Sequence, residues 1–266
     1  MTDSVGRVIS YLRISITDRC NLRCIYCMPP QGVRLLPHSD ILTYDQIVAF
    51  ATLAVSKGIS KVRITGGEPL VRKDVEKLIA MLASIDGLVD LSLTTNGQLL
   101  AEKASTLKAA GLHRINISLD TLDPEQYRQI TRGGTLYPVL TGIRAAQRAG
   151  LEPVKINCVI DVETQEAQKE TMRLFAQKEG LELRFIHRMS LHSGDFSVVE
   201  GGSGGDCAHC NRLRLTANGM VKPCLFSNLE YNIRTMGYLE ALEAAVLNKP
   251  PKGTCNSSGH FYAIGG

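Results

Sequence analysis

The chain has 266 residues, 44% of them hydrophobic, with eight cysteines and a formal net charge of +4. That length and apolar share can bury a substantial core and exclude a disordered or low-complexity chain, while a mild charge without any basic run gives no reason to expect nucleic acid as a partner. No window approaches the roughly twenty apolar residues that span a bilayer, and Met1-Thr2-Asp3-Ser4 has no signal-peptide character, so no membrane insertion is expected and the setting is a reducing cytoplasm, where clustered cysteines are more often metal ligands than disulfides.

Apolar stretches of strand length alternate six times with helix-period stretches, which is the pattern of β–α units around a parallel sheet. The predicted strands lie near 11–18, 60–66, 89–95, 114–120, 153–160 and 181–189. The run from Tyr44 to Val55 is a predicted helix with Thr43 as its N-cap. Gly58, Gly111, Gly150 and Gly180 each stand where a helix should stop before a strand begins.

Five of the six strands alternate polar with apolar residues. The first sets Leu12, Ile14 and Ile16 against Arg13, Ser15 and Thr17; the second sets Val62 and Ile64 against Lys61, Arg63 and Thr65. Leu91 and Leu93 oppose Ser92 and Thr94; Ile115, Ile117 and Leu119 oppose Asn116, Ser118 and Asp120; Val154, Ile156 and Cys158 oppose Lys155 and Asn157. Helices covering the outside take the apolar faces, so the polar faces point into a concave interior suited to a polar ligand, unlike the branched apolar filling of a closed barrel. The expected fold is α/β: a partial (β/α)6 barrel over residues 1–190, with a C-terminal extension over 191–266.

Three motifs carry chemistry. After the first strand, Cys20, Cys24 and Cys27 form a C-x3-C-x2-C run that can hold three irons of a cubane and leave the fourth without a protein ligand; a structural zinc site would need a fourth donor. After the second strand comes Gly66-Gly67-Glu68-Pro69, whose glycines allow close backbone approach and whose proline stiffens the turn. Near the end Cys207, Cys210 and Cys224 form another set of three; alone, it reads equally well as a second cluster or as zinc completed by His209 or Cys255.

The first two motifs resemble the radical S-adenosylmethionine (SAM) superfamily. That resemblance implies a 4Fe–4S cluster on Cys20, Cys24 and Cys27, SAM on its open iron, and release of a 5′-deoxyadenosyl radical; it implies SAM contacts at Tyr26, Gly66, Gly67, Glu68, Ser118 and Met189. The stretch Gly202–Thr216, the string Pro223-Cys224-Leu225-Phe226 and the terminal Gly265-Gly266 resemble the MoaA family, the GTP 3′,8-cyclases of molybdenum cofactor biosynthesis. The family likeness implies a second 4Fe–4S cluster on Cys207, Cys210 and Cys224, GTP contacts at Arg13, Arg63, Thr94, Lys155, Arg212 and Arg214, and a Gly-Gly tail entering the active site. It also implies a small electron donor such as flavodoxin or ferredoxin, a downstream pyranopterin-forming enzyme, and a homodimer. Independently of the family, Arg13, Arg63 and Lys155 fall on inward faces, where buried charge calls for an anion unless Asp120 and Glu68 already pair with them.

Two departures fall on the substrate side. Only seventeen residues separate Met189 from Cys207, where the family carries a much longer segment, and His187-Arg188 replace an acidic and an aromatic residue. A different nucleotide or a peptide is therefore the alternative substrate.

Overall fold

The structure is a computed structural model that describes residues 1–161, 163–257 and 259–264. Five β–α units and a sixth strand build its frame: β1 (Tyr11–Ser15), α1 (Tyr44–Ser56), β2 (Lys61–Thr65), α2 (Val75–Ala83), β3 (Asp90–Thr95), α3 (Leu100–Ala109), β4 (Arg114–Ser118), α4 (Pro124–Thr131), α5 (Leu136–Arg148), β5 (Val154–Ile160), α6 (Glu166–Glu179) and β6 (Glu182–His187). All six predicted strands form, and each starts or ends within a few residues of its expected bounds. Thr43 caps α1 reciprocally with Gln46, and the four predicted glycine stops all have positive φ. The crossover from β4 to β5 differs from the simple expectation in containing two helices, of which α4 braces the first cysteine loop.

The remaining elements are β7 (Arg212–Leu215), β8 (Met220–Lys222), β9 (Tyr231–Asn232), α7 (Ile233–Met236), α8 (Tyr238–Leu247) and α9 (Phe261–Ile264). The strands lie in the order β6-β5-β4-β3-β2-β1-β7-β8-β9. The pairs from β6 to β7 are parallel, and β8 and β9 are antiparallel additions. The C-terminal extension thus supplies a strand directly beside β1. At the other edge, Glu200 forms an isolated bridge with Phe185, so the short connection after Met189 folds back over β6 and covers that edge.

The alternation read from the strands is realised. Leu12, Ile14, Val62, Ile64, Leu91, Leu93, Ile115, Ile117, Val154 and Ile156 are at most 3% exposed and form one core with the helices. Their polar neighbours line the concave side. Parallel pairing aligns these neighbours in rows: Arg13 stands opposite Arg63 on one side and Arg214 on the other. No described helix is long and apolar enough to cross a membrane.

The N-terminal hairpin anchors the extension. Arg7 binds Asp3 at 2.6 Å in a buried pair and donates to the carbonyls of Cys207 (2.7 Å) and Pro250 (2.8 Å). Removing one partner of a buried ion pair leaves the other charge uncompensated and typically costs about 3–5 kcal/mol. Asp3→Ala is expected to lower stability by about 3 kcal/mol in urea denaturation.

Candidate active site

The first cysteine loop leaves the carboxyl end of β1 and is tied down by backbone contacts that local sequence does not reveal. Arg23 and Ile25 donate their backbone N–H groups to Thr131 and Ile130, and Arg132, just past α4, donates to the carbonyls of Arg23 (3.1 Å) and Met28 (2.6 Å). Cys20, Cys24 and Cys27 are half-buried side by side. Burial first, then Cys20 and Asp120, push the Cys27 thiol up to about 12, and Cys24 is raised for the same kinds of reason. Three thiolates in this space therefore need bound positive charge, and a cubane's irons provide it.

The Gly66-Gly67-Glu68-Pro69 turn lies directly on this loop. Gly67 N–H donates to Thr17 and Glu68 N–H to Arg19, both at 2.8 Å. A Cβ on Gly67 would stand 2.4 Å from the Arg19 carbonyl oxygen, so only glycine permits this approach. Glu68 is 1% exposed, and its carboxylate accepts from Leu70 N–H (3.0 Å), Thr95 Oγ1 (2.8 Å) and Asn96 N–H (2.6 Å). It fastens the turn to the end of β3 and does not line the neighbouring cavity, whereas Gly66 and Gly67 do. Burial raises its carboxyl to about 7 against those three hydrogen bonds.

This first cavity, about 200 Å³, is lined by the three cysteines, Tyr26, Gly66, Gly67, Ser118 and Met189. Tyr26 donates its hydroxyl to Asp120 at 2.7 Å, and Asp120 also accepts from Val159 N–H at 2.8 Å. Burial lifts the Asp120 carboxyl to about 6. Asp120 and Glu68 are thus engaged with Tyr26, Val159, Leu70, Thr95 and Asn96. Thr94, expected on the substrate side, lines this cavity, as do His187 and Arg188; His187 Nε2 meets Glu200 Oε1 at 3.1 Å. Phe261 and Tyr262 also line it, although the strand pattern gave no sign of them. The predicted tail residues Gly265 and Gly266 lie outside the described residues.

A second cavity, about 410 Å³, shares Asn157, Ile186 and Met189 with the first. Its volume is within the usual range of ligand sites. Arg13, Arg63, Lys155, Arg212 and Arg214 all line it, as expected for the substrate side, and Lys61, Arg114, Arg184 and Lys249 join them. Strand alternation already placed Lys61 on the inward face, and extended to β4 and β6 it would have found Arg114 and Arg184. Arg114 is paired with Asp90 (Nε–Oδ1 2.9 Å) and Lys155 with Glu182. Burial, and then Arg212, pull the Arg214 guanidinium down to about 10; burial likewise lowers Arg63 and Arg184, with neighbouring arginines adding to it. Buried polar atoms without a hydrogen-bond partner among the described residues include Tyr11 Oη, Arg114 Nη1 and Arg184 Nε, which belong to residues lining this cavity. Such a surface is built for a polyanion.

Cys207, Cys210 and Cys224 line the far end of the same cavity. Cys210 precedes β7 by two residues, and Arg212 is level with Tyr11. The two cysteine sets therefore sit at opposite ends of β1, separated by a five-residue strand, on the order of 16 Å. His209 turns outward to Asp206 at 2.7 Å, and neither His209 nor Cys255 lines the cavity. Among the described residues no group of His, Cys, Asp or Glu gathers around one metal ion; a cubane instead asks three thiolates each to reach a different iron.

Residues 14–175 match the model of the Radical SAM superfamily, and the chain belongs to that superfamily, which implies a 4Fe–4S cluster and SAM. A curated GTP 3′,8-cyclase from Petrotoga mobilis is 42% identical over 302 positions, covering 94% of each chain. Another from Listeria monocytogenes is 38% identical over 94% of this chain and 91% of its own, and one from Moorella thermoacetica is 43% identical over 88% and 86%. Within the superfamily, the chain belongs to the GTP 3′,8-cyclase family. Since 94% of 266 residues enter the 302-position Petrotoga alignment, about fifty positions are occupied by the relative alone. Among solved structures, anSMEcpe with bound AdoMet has a TM-score of 0.67 at 18% identity, covering 90% of this chain and 81% of its own. Streptococcus suis SuiB bound to S-adenosylmethionine has 0.65 at 16%, covering 93% of this chain and 66% of its own; both likenesses are of fold.

The Glu68 carboxyl is held at about 7, above its ordinary value of 4.5, so the folded chain binds this proton more tightly than the unfolded chain. That contribution is fully present below pH 4.5 and is lost as pH rises through 7. In urea denaturation of cofactor-free protein from pH 5 to 8, the stability difference between wild type and Glu68→Gln is expected to move in the variant's favour as pH rises.

Proposed function

We propose that this chain is a radical SAM GTP 3′,8-cyclase that acts in molybdenum cofactor biosynthesis. The observation that carries the reading is the row Arg214–Arg13–Arg63, set level by parallel pairing in a cavity that shares a wall with the cysteine-lined one. Cys20, Cys24 and Cys27 would hold the first cluster, and Tyr26, Gly66, Gly67, Ser118 and Met189 would contact SAM. When bound, the cluster and SAM would supply a 5′-deoxyadenosyl radical able to take the ribose C3′ hydrogen of GTP, the chemistry that 3′,8-cyclisation calls for.

The chain's own residues contribute position and charge. Arg13, Arg63, Lys155, Arg212 and Arg214 hold the triphosphate, and Asn157, Ile186 and Met189 form the wall across which ribose faces the first cavity. Lys155 trades Glu182 for phosphate when substrate arrives. Thr94 reaches the substrate from the first cavity, and Glu68 acts by holding the glycine turn that meets SAM. Cys207, Cys210 and Cys224 hold a second 4Fe–4S cluster at the base end of GTP. Residues 1–190 then act as the radical-generating barrel and 191–266 as the substrate-side extension. A flavodoxin- or ferredoxin-like donor supplies the electron, and a pyranopterin-forming enzyme takes the product.

Each charge-assisted contact contributes about 1.5–3 kcal/mol, so losing one should weaken binding roughly ten- to a hundredfold. In isothermal titration Arg63→Ala is expected to raise the GTP dissociation constant by that factor, and GMP to bind wild type much more weakly than GTP. Indistinguishable weak binding in all four titrations would refute the cyclase reading and leave another nucleotide or a peptide as substrate. In anaerobic incubations with GTP, SAM and dithionite, mass analysis should show the cyclised product. Cys24→Ala should abolish 5′-deoxyadenosine formation, whereas Cys210→Ala should retain it and lose the cyclised product.

A further inference from the structure

Lys249 differs from the other cations of the large cavity. It lies just beyond α8 and is 2% exposed, so its charge has been removed from water, a placement that needs compensation. Its Nζ donates to the carbonyl oxygens of Arg212 (2.8 Å) and Pro223 (2.6 Å), and it lines the large cavity together with Cys207, Cys210 and Cys224. An ammonium has three protons, and these two carbonyls take two of them. Burial lowers the Lys249 ammonium from its ordinary value, Cys210 and Cys224 oppose that shift, and Arg7 adds to it.

The contacts fall at informative places. Arg212 follows Cys210 by two residues and Pro223 immediately precedes Cys224, so one ammonium joins the two segments that carry these thiols. Arg7 holds the third segment by donating to the Cys207 carbonyl, and it also donates to the backbone carbonyls of Lys249 and Pro250, at 3.5 and 2.8 Å.

We propose that Lys249 is a positioning residue and the fixed counter-charge of the second cysteine set, holding the Cys210 and Cys224 segments together and making the iron–sulfur group on these cysteines easier to reduce. The inference rests on the second-cluster reading given above. A cubane on three thiolates carries net negative charge that grows on reduction. A buried cation fixed to the segments that carry the ligand cysteines therefore favours the reduced form, since potentials follow net charge and exposure.

The test is an EPR-monitored redox titration, with iron analysis, of the anaerobically reconstituted full chain as wild type, Lys249→Met and Lys249→Gln. Wild type should hold about eight irons in two cubanes. In Lys249→Met the second cluster should become harder to reduce by at least tenfold, about 59 mV for one electron, while the first cluster's potential stays in place as an internal reference. Glutamine keeps two donors for the carbonyls but removes the charge, so Lys249→Gln should show a fall of the same sign. A methionine variant that retains only about four irons, with the first potential intact, supports the holding role, and the glutamine variant then carries the test of potential. Eight irons with an unmoved second potential in both variants would overturn the inference alone. About four irons plus one zinc in wild type would overturn the second-cluster reading and this inference with it.

Discussion

A sheet clothed by helices on one side has only its other face on which to carry polar side chains. In this chain every strand from β1 to β5 gives its apolar residues to the helices, and the polar ones converge on the concave side. Parallel pairing then adds like to like: Arg214, Arg13 and Arg63 stand level across three neighbouring strands. Burial disfavours charge in such a row and lowers the guanidinium values of Arg63 and Arg214, with Arg114, Arg184 and Arg212 adding to it at Arg63 and Arg212 at Arg214. An anionic ligand at this row would offset that cost.

The other parts of the site follow from where the chain enters and leaves this face. The first cysteine set sits beyond the carboxyl end of β1, braced by α4 and the glycine turn. The second set sits at the amino end of β7, which lies parallel to β1, so the two are held apart by the strand between them. The second set lines the large cavity and the first set the smaller one, and the two cavities share the wall of Asn157, Ile186 and Met189. The short connection after Met189 folds back onto the edge of β6 through the Phe185–Glu200 bridge.

Buried carboxylates show how the same residue type serves different ends. Glu68 and Asp120 stood in the sequence as candidate partners for the inward cations. Glu68 instead gathers three donors that fix the glycine turn to β3, and Asp120 receives the Tyr26 hydroxyl and the Val159 amide. The cations find other company: Lys155 has Glu182 and Arg114 has Asp90. Carboxylate partners are set by which loops meet, which strand pattern alone does not specify.

What the sequence by itself determined was everything governed by short-range regularity. Strand and helix identity, the glycine stops, the inward position of Arg13, Lys61, Arg63 and Lys155, and the two cysteine sets are all local patterns, because side-chain direction in a strand depends only on residue parity. The tertiary structure decided what depends on non-local pairing: that β7 joins β1 and brings Arg214 beside Arg13, that Arg184 and Arg114 complete the cationic face, and that Phe261 and Tyr262 return to the first cavity. Lys249 shows the limit most clearly. It is an ordinary lysine before two prolines in the sequence, and only the meeting of α8's end with the segments around Cys210 and Cys224 makes it a buried cation held by the Arg212 and Pro223 carbonyls.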